Sequence, residues 1–160
     1  MTSAIPLEET DSLDVTVGSE AHYKARIFYG DNCINDSDQW GFWIDALNYG
    51  ADGFKNLDSG GDSGFSRNDI NTKVRWSSDN TVDIQQRVEL KLGYVQENAD
   101  ETYLGLSEQD FNADSNRGYA ASVLDQFDSE HWQAHILYQA KFNDAWQVNT
   151  KAYVNRFDRQ

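Results

Sequence analysis

Between residues 82 and 94 the chain alternates apolar and polar side chains, the period-two pattern of a β-strand. The apolar positions are Val82, Ile84, Val88, Leu90, Leu92 and Tyr94, a set interrupted only by Gln86. The intervening positions are Asp83, Gln85, Arg87, Glu89, Lys91 and Gly93. Such a strand is long enough to cross a bilayer, but a soluble sheet shows the same alternation. The medium beside the apolar face therefore decides the class of protein.

The same alternation recurs along most of the chain. It is found in the segments 12–17, 23–29, 42–49, 69–76, 132–142 and 146–154. We therefore predict an all-β chain of about seven strands, with no helix. No apolar run approaches the ~20 residues of a membrane helix, but membrane strands do not need one.

Lysine and arginine occupy the polar positions of these segments, and Arg156 departs from this rule only at the very end. A Lys or Arg facing lipid near the bilayer midplane costs about 2–4 kcal/mol, so this distribution suits a membrane wall. The inner face of a soluble β-sandwich excludes charges as well. Trp76, Trp132, Phe142 and Trp146 lie near segment ends, where an aromatic girdle would be expected.

The connections between the segments favour the membrane interpretation. Two tight turns, at 77–80 and 143–144, join segments at one end, whereas long polar insertions at 50–67 and 96–130 join them at the other. Long structureless loops are uncommon in compact soluble domains, whereas outer-membrane barrels combine short turns with long loops at opposite ends. We therefore predict antiparallel, up-and-down strands of a transmembrane sheet, as in an outer-membrane barrel, rather than a β-sandwich.

The polar positions of the predicted strands would then line the interior of that barrel. The residues expected there are Lys24, Arg26, Asp45, Lys73, Arg75, Glu89, Lys91, His135, Lys141 and Lys151. His131 and His135 are four residues apart, about 13 Å along a strand, which is too far for two ligands of one metal ion.

Composition excludes several classes of function. The net charge is −14, from 27 acidic and 13 basic residues, so nucleic acid is not an expected partner. The single cysteine, Cys33, permits no internal disulfide and no Cys-based zinc site. No catalytic triad, nucleophile elbow or phosphate-binding loop occurs, so neither an enzyme nor a cofactor is predicted. The Asp- and Gly-rich loop 58–64 has some likeness to a calcium loop, but a plain flexible loop explains it better.

Several segments in series resemble the barrel of TonB-dependent outer-membrane receptors, most closely the ferric dicitrate receptor branch. They are the segments 46–55, 62–65, 91–94, 101–106, 110–111 and 117–122. The resemblance implies a barrel of about 22 strands in the outer membrane of a Gram-negative cell, plugged by an N-terminal domain. Residues 1–10 would be the end of the plug and its junction, and residues 11–160 the first part of the barrel. The resemblance thus implies antiparallel, up-and-down strands from a large transmembrane β-barrel, incomplete because about seven strands cannot close it.

The resemblance also implies partners: a ferric chelate as ligand, TonB acting through the missing plug, and outer-membrane lipid. Arg87 and Arg117 are the predicted ligand-binding residues, because arginine makes bidentate contacts with carboxylates. The alternative for Arg87 and Lys91 is simple pairing with Glu89 and Asp83. The alternatives for the whole chain are a soluble β-sheet module that binds calcium or carbohydrate, and an enzyme built on a β-sandwich with a carboxylate pair.

Overall fold

A computed structural model describes residues 4–34, 38–61, 63–79, 81–100 and 102–160. The strands are β1 (Thr10–Val17), β2 (Tyr23–Ile34), β3 (Asp38–Ala51), β4 (Asn56–Leu57), β5 (Phe65–Ser78), β6 (Gln85–Asp100), β7 (Arg117–Gly118), β8 (Gln126–Lys141) and β9 (Gln147–Arg159). Seven of them form one antiparallel sheet in the order β1-β2-β3-β5-β6-β8-β9. The prediction of an all-β chain with seven up-and-down strands is confirmed. The sheet is open, with β1 and β9 at its two edges.

The strands extend well beyond the segments of clear alternation. Residues 96–100 continue β6, and residues 126–130 begin β8, although both stretches were predicted to be loop. The positions that continue the apolar face are polar there, so the hydrophobic period is lost while backbone pairing continues from Gln96↔Glu130 to Asp100↔Gln126. At the other end Val82 and Ile84 precede β6 rather than belonging to it. Asn80, in the predicted turn, lies outside the described residues.

The long connections carry small elements of their own. The loop between β6 and β8 contains a short helix, α1 (Glu108–Ala113), and a 3₁₀ turn at Ala120–Leu124, so the prediction of no helix was wrong. Ser107 caps α1 by accepting a hydrogen bond from the Asp110 N–H. This capping signal covers a single turn, and it was too short to predict a helix within the surrounding polar sequence. No helix in the described part of the chain is long and apolar enough to span a membrane.

The register places the apolar positions of the alternating segments on one face, which we call the apolar face. Its side chains are exposed, and they include Val15, Ile27, Ile44, Ile70, Val74, Leu90, Leu92, Ile136 and Val154. The opposite face, the charged face, holds all ten residues predicted to line a barrel interior. Within the described residues, no second layer packs against the apolar face. This is the reverse of a soluble sheet, which buries its apolar side.

The most buried large side chains of the sheet lie on the charged face. Trp43 is 3% exposed, and the neighbouring Lys73 is 6% exposed. Ile5 and Pro6, which precede β1, lie against the same face, and Ile5 is buried there. A Cβ atom at Gly41 would lie 2.8 Å from Ile5 Cγ2, so only glycine leaves room for this segment. Within the predicted plug junction at residues 1–10, Ile5 and Pro6 therefore lie on the charged face.

Gly93 on β6 serves a similar purpose between two strands. The side chain of Gln133 on β8 donates to Asn71 Oδ1 on β5 at 3.4 Å, passing over the intervening strand. A Cβ at Gly93 would lie 2.5 Å from Gln133 Nε2 and 2.7 Å from Asn71 Oδ1. The absent side chain therefore permits this bridge across three strands.

We expect Gly93→Val to lower the free energy of unfolding by about 1–2 kcal/mol, through overpacking and loss of the bridge. Urea unfolding in detergent micelles, followed by far-UV circular dichroism, measures this change. Gly105→Val is the matched control, because no atom lies within 4 Å of a Cβ built there. Equal stability of the two variants would contradict the close approach at Gly93.

Candidate functional site

The charged face carries a group of ionic side chains on β5 and β6. Lys73 Nζ lies 3.2 Å from Glu89 Oε1, and Arg87 Nη2 lies 3.1 Å from Glu89 Oε2. Glu89 is therefore shared between two cations. Because the Lys73 side chain is almost entirely buried, this carboxylate offsets a charge that would otherwise be costly to place there.

Cations outnumber carboxylates in this region. Lys73 lies directly opposite Lys91, which lies opposite His135, so a row of basic side chains crosses β5, β6 and β8. Like charges directly opposite each other destabilise a sheet. Arg75 adds a further positive charge beside this row, and its Nη2 donates to Asn32 Oδ1 at 2.9 Å. The region thus offers excess positive charge in a chain whose net charge is strongly negative.

The structure bears on the two explanations for Arg87. Its pairing with Glu89 is present, whereas Lys91 forms no ion pair with Asp83 or any other described carboxylate. Arg87 also keeps a buried Nε with no hydrogen-bond partner. A role for Arg87 in ligand binding stays a prediction, and the surplus of positive charge around it is the feature that supports it.

The remaining residues predicted for a barrel interior are spread over the charged face. Arg26 forms a double hydrogen bond with Asp45, at 2.8 and 2.6 Å. Lys141 pairs with Asp144 at 2.9 Å, in the turn between β8 and β9. Lys24 lies on β2, distant from the group around Glu89, and Lys151 lies on β9, separated from Glu89 by Leu137 of β8. These five positions make no common site with Arg87.

Arg117 lies in a second group, which joins the two long loops and which we call the loop clamp. The clamp consists of Arg117, Asp58, Asp110, Tyr119 and Ser107. Arg117 Nε and Nη2 each donate to the Asp58 carboxylate at 2.9 Å, and its Nη1 donates to Asp110 Oδ1 at 2.6 Å. Directly beside it β4 and β7 form a two-residue parallel pair, Asn56↔Arg117 and Leu57↔Gly118.

Hydrogen bonds around Asp110 complete the loop clamp. The Tyr119 hydroxyl donates to Asp110 Oδ2 at 2.6 Å, and the Ser107 hydroxyl donates to the same atom at 2.7 Å. These bonds, together with the charge of Arg117, hold the pKa of Asp110 below its ordinary value. Hydrogen bonds from Arg117 lower the pKa of Asp58 in the same way, and bonding to Asp58 raises the pKa of Arg117.

The loop clamp changes the interpretation of two sequence features. Arg117 already holds two carboxylates, so its binding of an anionic ligand stays a prediction that this geometry does not support. Asp58 is engaged by Arg117 and is not free to bind calcium, while Asp62 of the same loop lies outside the described residues. Across the described residues there is no group of three metal-ligating side chains.

Sequence reasoning missed the partners of Arg117. Asp58 is 59 positions away, and no local spacing connects the two residues. The only signal was local: Ser107 and Asp110 stand three apart, the spacing of a helix cap, which predicts the bond between them but not the arginine.

The chain matches no protein-family model, no curated protein sequence and no solved structure. The resemblance to TonB-dependent receptors therefore rests on the short segments given above. Among these, 46–55 joins the end of β3 to the first long loop and 117–122 begins at β7. Asp62 and Glu101 belong to two other such segments and lie outside the described residues.

We expect Arg117→Gln to release both long loops, because it removes the cation shared by Asp58 and Asp110. Limited proteolysis should cut within residues 52–64 and 102–125 up to about fivefold faster, the range for an exposed ion pair. Glu108→Gln, an exposed carboxylate at the start of α1, is the matched control and should leave both rates unchanged. A cleavage increase in one loop alone would contradict a shared clamp.

The loop clamp also sets a pH dependence. Since the folded-state pKa values of Asp58 and Asp110 are lowered, the clamp stabilises the loops above the ordinary carboxyl pKa of about 3.9 and weakens as the pH falls through the lowered values. The measurement compares the rates at which acid-stable pepsin cuts the loops in the wild-type chain and in Arg117→Gln. The ratio of the two rates should stay constant until the pH falls below about 3.9. A loss of protection near pH 6 would contradict this assignment.

Proposed function

We propose that the chain is part of the wall of an outer-membrane transport receptor, of the TonB-dependent type, that imports a ferric chelate. The observation that carries the proposal is the inverted sheet: an exposed apolar face opposite a charged face that buries Trp43 and Lys73. Water disfavours an uncovered apolar surface of this extent, whereas the hydrocarbon of a bilayer is its natural environment.

The dimensions of the apolar face support a membrane wall. Trp40 and Trp76 pair at its lower limit, and Tyr94 and Trp132 pair at its upper limit. On β6 the two limits lie six residues apart, since Trp76 opposes Val88, and six residues span ~20 Å. The outward apolar band of outer-membrane barrels is about 25 Å tall and is bounded by aromatic girdles. Asn68, Gln96 and Glu130 follow directly above the upper aromatic row.

The charged face supports the transport half of the proposal. The row of Lys73, Lys91 and His135, with Arg75 and Arg87 nearby, gives the interior wall an excess of positive charge opposite an anionic chelate. Ile5 and Pro6 lie against this same face, which is where a plug preceding the barrel would enter it. The two long loops, joined by the loop clamp, would stand at the outer end.

A soluble binding module for calcium or carbohydrate has less support. Such a module would need a second layer over the apolar face, and none is present among the described residues. The candidate calcium loop has its Asp58 carboxylate bound to Arg117.

We expect Leu90→Arg to block membrane assembly, because it places a cation in the apolar face at a cost of about 2–4 kcal/mol. Lys91→Arg is the matched control, since it places the same side chain on the next residue and the opposite face. The measurement is protection from protease after folding into vesicles of phosphatidylethanolamine and phosphatidylglycerol. Similar protection for both variants, or a wild-type chain that stays monomeric in plain buffer, would contradict a membrane wall.

For the ligand, we expect Arg87→Gln to weaken binding of ferric citrate by about tenfold, the effect of losing one charged hydrogen bond. Quenching of tryptophan fluorescence in detergent micelles measures the affinity. Lys24→Gln removes a cation from the same face at a distant position and should have little effect. An affinity reduced equally by both variants would indicate general attraction to a charged surface rather than a site.

A further inference from the structure

The segment that precedes β1 rests on two glycines of the charged face. Ile5 packs over Gly41, and a Cβ atom built at Gly30 would lie 2.9 Å from Pro6 Cγ. The two glycines belong to β3 and β2, neither of which is an edge strand. Ile5 is only 7% exposed, so it is packed against the sheet rather than lying loosely over it. We call Ile5 and Pro6 the strap.

The strap borders Trp43 on two sides. Gly30 lies directly opposite Trp43 on β2, and Gly41 precedes Trp43 by two residues on the same face of β3. A Cβ at Gly30 would lie 2.9 Å from Trp43 Cβ, the same distance as from Pro6 Cγ. Trp43 is the most buried aromatic side chain of this face, and its burial on an open sheet depends on the strap.

The strap also lies beside the cations of the charged face. A Cβ at Gly41 would lie 3.1 Å from Arg75 Nη2, so Ile5 and this guanidinium approach the same point. On the other side of Trp43, Lys73 Nζ lies 6.0 Å from the centroid of the indole ring. The strap, Trp43 and the two cations therefore form one contiguous packed group.

Two hydrogen-bond donors in this group are closed to any ligand. The indole N–H of Trp43 is buried, and no described group accepts a hydrogen bond from it. A buried donor without an acceptor is costly, and an anion would supply one. The Lys73 ammonium pairs with Glu89, but its side chain is covered almost completely. An anion therefore reaches neither donor while the strap is in place.

We propose that the strap closes an anion site formed by Trp43, Lys73 and Arg75, and that the strap and a bound anionic chelate exclude each other; this inference rests on the proposed function. Without the strap, the indole ring loses its cover on two sides and Arg75 loses an apolar neighbour. A polycarboxylate then takes the place of Ile5 and accepts hydrogen bonds from the indole and the guanidinium. Because the chelate binds only the open form, it shifts the population towards that form.

The side chains of the strap suit a removable cover better than a permanent partner. Isoleucine and proline side chains offer apolar contact but no hydrogen-bond acceptor, so they leave the positive charge of Arg75 unbalanced. A carboxylate in the place of Ile5 would pair with the cations and compete directly with the ligand. The site therefore keeps its attraction for an anion while it is closed.

The first experiment measures how often the strap opens. In a Cys33→Ser background, Ile5→Cys places a thiol at the buried position, and its reaction with a maleimide is followed in detergent micelles. We expect saturating ferric citrate to speed the reaction about tenfold, because the bound anion holds the strap away from the sheet. Leu7→Cys is the matched control, since Leu7 is 81% exposed and its variant should react at one rate with and without the ligand.

The second experiment tests the same coupling from the side of the ligand, because two exclusive events weaken each other equally. Ile5→Ala removes most of the apolar contact that holds the strap, so we expect it to tighten binding of ferric citrate by about tenfold. Equilibrium dialysis measures the affinity, and Leu7→Ala should leave it unchanged. Misfolding does not produce a gain of affinity, so an unchanged or weaker affinity for Ile5→Ala overturns the proposal.

Pyrophosphate, an anion without iron, separates this inference from the proposed function. If pyrophosphate speeds the labelling of Ile5→Cys while ferric citrate does not bind, the strap stands and the ferric chelate is wrong. If ferric citrate binds but neither anion changes the labelling rate, only the strap is refuted. An equal acceleration at Leu7→Cys also refutes it, because that result shows general loosening of the chain rather than opening over the cations.

Discussion

The separation of charged side chains from apolar side chains, on opposite faces of one sheet, is the constraint on which the rest of this structure depends. Within the described strands of the seven-stranded sheet, every lysine and arginine except Arg156 lies on the charged face, and the pairing register aligns that face from β1 to β9. A slip of one residue in any pair would turn a strand over and put charges among the apolar side chains. The register therefore determines which medium each face can meet.

Ion pairs on the charged face balance buried charge, whereas ion pairs between the loops hold the loops together. On the face, Glu89 balances two cations, one of them buried, and glycine at position 93 lets a hydrogen bond cross a strand. In the loops, Arg117 holds two carboxylates from segments far apart in sequence. The sheet owes its form mainly to backbone pairing, whereas the loops depend on a few side chains and are accordingly more sensitive to single substitutions.

Sequence alone predicted the sheet well because alternation is a local property. The period of two located β1, β2, β3, β5, β6, β8 and β9 and assigned all ten residues predicted to line a barrel interior to one face. It failed where the apolar face became polar, at residues 96–100 and 126–130, because backbone hydrogen bonds rather than hydrophobic contrast continue the strands there. It also failed for Arg117, whose partner Asp58 is brought near only by the folded path of two loops.

The number of strands has a geometric consequence for how the sheet is completed. In an up-and-down sheet of seven strands, β1 and β9 run in the same direction. A cylinder closed entirely by antiparallel pairs has an even number of strands, so in the proposed barrel the remaining wall would have to contribute an odd number. Copies of the same sheet with their long loops at the same end would meet in parallel, β9 against β1. The proposed barrel would therefore need a different set of strands to complete it, not a repeat of this sheet.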